Sequence, residues 1–308
     1  MNRLMEPELT SSSASSGSWG WFTGIFRRHP FWVLIIPIGL VLYFVYGGLL
    51  WNVWVSISNW KGLAPSFGFE GFGQYSKMFG SYVFWIAVKN TLLLFLIIPF
   101  CLGLGAAIAV VLDQGLRGSS IFRSLFLLPF ALSFVVTGTI WSWMYNPSNG
   151  ILNALLHAMG LGALQGTWYT AQETVMWSII LAMIWQFSGY TALILLAGIK
   201  SIPEVQIRAA MLEGASKLRI YSRIVFPQLK GPVATAVVIL MMYSLRSFDF
   251  IWVLTEGGPG FGSYTLSIYM YKQTFLATRF AYGAAVATVL LGIVLVIVVP
   301  YVYRTYRR

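Results

Sequence analysis

The sequence predicts an all-α membrane protein with six transmembrane helices, and three observations predict it. Hydrophobic residues fill 58% of the 308 positions and charged residues only 9%, with a mean hydropathy of +0.75. A soluble domain carries about 25% charged residues. Six apolar runs reach the roughly 20 residues a spanning helix needs. Between the fourth and fifth runs lies a long polar and basic stretch, residues 201–232, and structureless connections of that length are uncommon unless they do something.

Residues 1–29 are polar, with a Ser-rich tract from Ser11 to Ser18, and are expected to form a disordered cytoplasmic tail. The apolar run that follows is too long for the core of a cleavable signal. Residues 30–83 supply the first span and an outer loop, and residues 84–308 the transmembrane core. The runs lie at about 30–57, 84–112, 121–145, 174–199, 233–254 and 280–303. Pro37, Pro99 and Pro129 fall inside them and predict kinks, which spanning helices tolerate. With the N-terminus inside, fourteen of the 20 basic residues fall on the cytoplasmic side and five (Lys61, Lys77, Lys89, Lys272 and Arg279) on the outer side. That asymmetry sets both termini in the cytoplasm. It also accounts for the net charge of +11 without nucleic acid, since the basic residues are spread over short connections.

The 201–232 stretch carries its own helix punctuation. Ser201 and Glu204 have capping-box spacing and Pro203 sits where a helix starts. Ile202, Val205, Ala209 and Leu212 recur at helical spacing, which predicts an apolar face turned to the membrane part. Gly214 supplies the left-handed stop. Ser216 can cap a second helix, basic through Lys217, Arg219, Arg223 and Lys230, that Pro227 ends. Ala209, Ala210, Gly214 and Ala215 leave little bulk at the turn. Two readings fit these residues: a knob on which a partner docks, or a basic amphipathic helix lying on anionic headgroups.

The stretch resembles the cytoplasmic EAA loop of ABC importer permeases. The corresponding residues are Arg208-Ala209-Ala210, Glu213-Gly214-Ala215 and Ile224-Val225-Phe226-Pro227. The resemblance implies the type I permease fold of ABC importers, with a coupling helix seated in a cleft of an ATPase subunit. Arg208 stands where the family has Glu, and Glu213 where it has Asp. If the family Glu meets a basic residue of the ATPase, Arg208 would repel it.

The second informative stretch is 245–271. Arg246 and Asp249 are charged residues within a span, at a spacing that lets them share a helix face and neutralise one another. They are either part of a solute pathway or a structural pair. Glu256-Gly257-Gly258-Pro259-Gly260 reads as a tight outer turn. Phe248-Asp249, Leu254-Thr255, the GGPG run, Tyr269-Met270-Tyr271, the YGAAVA run from Tyr282 and the IWQFSGY run from Ile184 together resemble the sugar-uptake permeases related to those for maltose and glycerol phosphate. Candidate pathway residues are Trp185, Gln186, Ser188 and Tyr190 on one span, with Arg246, Asp249 and Phe250 on another.

In the outer loops, FGQYSKMF predicts a short amphipathic helix, and Asn146-Pro147-Ser148-Asn149-Gly150 a turn. Their position is similar to that of loops that receive an extracellular solute-binding protein, and plain exposed loop is the other reading. No G-x-x-x-x-G-K-[ST] loop occurs, so this chain does not hydrolyse ATP by that machinery, and the resemblance implies that ATP and Mg sit on a partner ATPase pair. His29, His157 and Cys101 are isolated, giving no metal site and no catalytic cluster. The resemblance also implies a second permease subunit, a sugar-like solute and a prokaryotic inner or plasma membrane. A permease for another solute would keep the coupling loop but lack the GGPG motif, and a secondary carrier would work without nucleotide.

Overall fold

The computed structural model describes residues 30–115 and 118–306. The 1–29 tail lies outside the described residues. No strand occurs among the described residues, only an isolated antiparallel bridge between Ser58 and Phe69. The chain divides after Trp51. The described part of the first unit is helical throughout, and its side chains from Ile35 onward are almost all exposed.

The helices are α1 (Pro30–Ser56), α2 (Gly73–Phe79), α3 (Tyr82–Asp113), α4 (Ser119–Ala131), α5 (Phe134–Met144), α6 (Ile151–Ala158), α7 (Val175–Lys200), α8 (Glu204–Leu212), α9 (Lys217–Gln228), α10 (Lys230–Leu245), α11 (Phe248–Thr255), α12 (Leu266–Tyr271) and α13 (Phe280–Tyr306). Of these, α1, α3, α7 and α13 are each long and apolar enough to cross a membrane alone. Two bent pairs, α4 with α5 and α9 with α10, bring the number to six if each is one span.

Two of the predicted continuous runs are broken. The 121–145 run bends by 98° between Ala131 and Phe134. Pro129, lacking an N–H, weakens the last turn of α4, and Ser133 starts α5 afresh by accepting from the Val136 N–H at 3.3 Å. The 233–254 run is interrupted at Arg246 and Ser247, between α10 and α11. Inside α3, Pro99 cannot supply an N–H to the Phe95 carbonyl, and the residues just before it, Leu94–Leu96, tighten to a 3₁₀ turn.

The core sits between α3 and α7, with α5, α10 and α11 closing around Phe187, Met183, Ile179 and Phe250. Gly189 on α7 lets α4 cross in direct contact. A Cβ there would stand 1.8 Å from the Phe126 carbonyl oxygen.

At one end of α3 the loops are built as the sequence predicts: 73–79 is helical, and Asn146 Oδ1 accepts from the N–H groups of Ser148 and Asn149, each at 3.0 Å. The following helix α6 has no forecast in the sequence reading. Its Asn153 holds the loop together, donating to the carbonyls of Pro147 and Gly166 and accepting from Trp168 Nε1 at 2.7 Å. In the GGPG turn, Glu256, Gly257 and Gly260 take positive φ of 50, 90 and 56°. Asn90 of α3 anchors this turn by donating to the carbonyls of Gly262 and Tyr264.

Candidate functional site

Two places gather the residues singled out in the sequence. The first is the 201–232 element. Helix α8 ends at Gly214, whose φ is +79°. Its N–H donates to the Met211 carbonyl and that of Ala215 to the Ala210 carbonyl, both at 3.0 Å, the paired pattern of a Schellman stop. Ser216 then caps α9, accepting from the Arg219 N–H at 3.4 Å. Within α9, Pro227 has no N–H for the Arg223 carbonyl, and the turn at Tyr221–Val225 is widened to π geometry.

The start of α8 differs from the expected capping box. Ser201 Oγ donates backward to the Gly198 carbonyl at 2.7 Å, and Glu204 pairs forward with Arg208. Having gained a neighbour in the preceding helix, Ser201 is not free to cap the next. The apolar face differs as well. Ile202, Ala210 and Ile220 are buried against the ends of α3 and α7, where Ile207, Ala215, Tyr221 and Ile224 join them. Val205 is 76% exposed, Leu212 90% and Leu218 80%. Ala209, Glu213 and Pro227 are also exposed. The turn therefore presents uncovered apolar side chains beside small ones.

One carboxylate fastens this element to the long helices. Asp113, the last residue of α3, accepts from the Tyr221 hydroxyl at 2.7 Å through Oδ2. Its Oδ1 lies 2.7 Å from Nζ of Lys200, the last residue of α7. Three elements thus meet on one side chain, which is 16% exposed. A carboxylate at a helix C-terminus opposes the helix dipole, so its partners must offset that cost. Sequence reasoning missed Asp113.

The second place is a cavity of about 330 Å³ at the break between α4 and α5. Ser133, Phe134, Gln186, Phe187, Tyr243 and Asp249 are among its walls. Gln186 is 2% exposed. Its Nε2 donates to the Leu132 carbonyl at 3.2 Å, satisfying an acceptor that the break set free. Its Oε1 is buried with no hydrogen-bond partner. Asp249 stands in the same wall and makes no ion pair among the described residues; the break at Arg246 and Ser247 removes the shared helix face expected of it and Arg246. Tyr190 stacks on Phe130 with ring centroids 4.0 Å apart. Trp185 packs edge-on to Trp141, and Ser188 Oγ donates to the Trp185 carbonyl. Phe250 is fully buried in the core. Gln186 and Asp249 are thus brought together, while Trp185, Ser188, Tyr190, Arg246 and Phe250 lie outside the cavity wall.

Residues 100–308 match the model of a protein family described as the binding-protein-dependent transport system inner membrane component. The chain belongs to that family. This permease is 49% identical to a probable ABC transporter permease protein of Pyrococcus horikoshii, over 90% of this chain and 96% of the relative. It is 38% identical to the xylose/arabinose import permease protein of Haloferax volcanii, over 92% and 89% of the two chains. Among solved structures, it shares its fold with a chain of the bacterial alginate ABC transporter in complex with alginate pentasaccharide-bound periplasmic protein. The TM-score is 0.79, with 23% identity over 94% of this permease and 98% of that chain. The protein is therefore a membrane subunit of the ABC-importer type, a transport component rather than an enzyme.

Proposed function

We propose that this permease is one of two halves that carry a sugar or sugar-like solute inward by alternating access. ATP is hydrolysed with Mg on a separate ATPase pair, and an extracellular binding protein delivers the solute. With six spans both termini lie on one side of the membrane, and the excess of basic residues supports that side being the cytoplasm of a prokaryotic cell. ATPase closure moves the 201–232 element, and the two permease halves switch between discrete inward and outward packings.

The observation that carries this reading is the bonding of the 201–232 element to the ends of α3 and α7 through Asp113. A force on α8 and α9 reaches the spanning helices through that carboxylate and the buried cluster around Ile202 and Ile220. The Glu204–Arg208 pair keeps a carboxylate one turn before the family's Glu position, so the surface around Arg208 is not uniformly cationic. The xylose/arabinose relative supports a sugar as solute. In the cavity, Asp249 and Gln186 Oε1 supply acceptors for solute hydroxyl groups, among aromatic walls.

The test is affinity purification from native membranes followed by reconstitution in liposomes. A second permease and an ATPase are expected to co-purify, with uptake that requires ATP. Solute flux by the chain alone, without nucleotide, would overturn the reading.

Two substitutions probe its parts. Gly214→Val forces a β-branched residue into a left-handed conformation that costs about 1–2 kcal/mol or more, although a Cβ there meets open space. Stimulation of ATPase activity by loaded binding protein is expected to be lost, and Gly214→Asn, which tolerates that conformation, should restore it. Asp249→Asn removes the cavity's charge. Uptake efficiency should fall by about 10- to 100-fold, the worth of a hydrogen bond to a charged group, with assembly unchanged on gel filtration. Failure of assembly alone would make Asp249 a packing residue.

A further inference from the structure

At the far end of α3 from Asp113 lies a second cavity, of about 660 Å³. Three basic side chains line it: Lys61 from the loop after α1, Lys77 from α2 and Arg279 at the start of α13. Lys77 is paired with Glu70 at 2.7 Å. That bond is the main reason the Glu70 carboxyl is held below its ordinary pKa. Among the described residues, Lys61 and Arg279 have no carboxylate partner. A fourth cation, Lys272, stands over the ring of Tyr264, which also lines the cavity, at 4.9 Å. The cavity therefore has a positive balance that the described residues leave uncompensated.

Its walls are held in place by the fold. The loop carrying Lys61 is stitched to the start of α13 by Gly62 N–H to the Thr278 carbonyl and Ala281 N–H to the Trp60 carbonyl, at 2.8 and 3.0 Å. Trp60 stacks on Phe280, and the Tyr269 and Tyr282 hydroxyls bond one another at 2.7 Å. Gln273 enters from a π turn, Lys272–Leu276, a geometry frequent at functional positions. Its Oε1 is buried without a partner, so a bound group with a hydroxyl to donate would satisfy it. Phe69, Phe72 and Tyr82, close in sequence to these wall residues, are exposed aromatic side chains of the kind enriched at membrane interfaces.

We infer that this cavity binds a phosphate ester bearing free hydroxyl groups, the phosphate between Lys61 and Arg279 and a hydroxyl on Gln273 Oε1. Basic side chains favour phosphate through charge-assisted hydrogen bonds. The same chemistry is offered by a phosphoglycerol lipid headgroup and by a free glycerol phosphate.

The experiment follows thermal unfolding of the full-length chain with its co-purifying partners. In detergent it is titrated with glycerol 1-phosphate, and in nanodiscs the phosphatidylglycerol content is raised in a phosphatidylcholine background. A saturable rise in melting temperature is expected in at least one arm, and the responding arm identifies the source. The Lys61→Gln/Arg279→Gln variant should require at least about tenfold more of that ligand, since two charge-assisted contacts are lost. Lys89→Gln, a cation outside the cavity, should behave as wild type. Gln273→Leu should abolish any preference for glycerol phosphate over inorganic phosphate in detergent. No response in either arm, or equal responses from wild type and the double variant, would overturn the site. So would a double variant whose sole defect is in stimulation by the binding protein.

Discussion

Replacing Gly189 by alanine is expected to remove most of the folded permease from the membrane. A Cβ at this position would sit 1.8 Å from the carbonyl oxygen of Phe126, a backbone atom in the middle of α4 that cannot rotate aside. Relief requires α4 to move bodily away from α7. That motion would break the Tyr190–Phe130 stack and the Gln186 bond to the Leu132 carbonyl together. Overpacking a core ordinarily costs about 1–3 kcal/mol, and a rigid backbone obstacle should exceed about 3 kcal/mol. Fluorescence-detected gel filtration checks it, with Gly103→Ala as control because a Cβ there meets nothing within 4 Å. A normal monodisperse peak for Gly189→Ala would show that the two helices are not in backbone contact.

Removing the carboxylate of Asp113 is expected to leave an assembled importer that hydrolyses ATP with little transport. Asp113→Ala strands the Tyr221 hydroxyl and the Lys200 ammonium at once. Hydrogen bonds to charged groups are worth about 1.5–3 kcal/mol each, so solute moved per ATP hydrolysed should fall by about tenfold or more. The Lys200 contact contributes less than the Tyr221 bond because the lysine side chain is 60% exposed. A double-mutant cycle of Asp113→Asn with Tyr221→Phe separates the two contacts. Additive effects in that cycle, with coupling intact, would mean that force travels only through the apolar cluster around Ile220.

The long apolar runs were legible because lipid demands continuous apolar length, and α1, α3, α7 and α13 followed from that alone. Gly214 and Ser216 were legible too, since their roles depend on local backbone geometry. The breaks were harder. A run of apolar residues has no period that distinguishes one straight helix from two, and Leu132 and Ser133 are ordinary helix residues until a neighbouring Gln186 donates to the freed Leu132 carbonyl. Asp113 was illegible for another reason: its partner Tyr221 is 108 residues away, and no local pattern announces such a meeting. Val205 and Leu212 fit the helical spacing of an apolar face but are exposed. Spacing reveals that a face is apolar without saying what covers it.

Leu212 and Leu218, left bare on either side of the Gly214 turn, also set the terms on which this subunit persists in a cell. Exposed leucines on the soluble side of a membrane protein are the kind of surface that chaperones and proteases recognise. A partner that covers them stabilises the folded state by mass action. The lifetime of the permease should therefore follow the abundance of its partner. Surplus copies made without one should be degraded, so that the stoichiometry of the assembly is enforced by turnover as well as by synthesis.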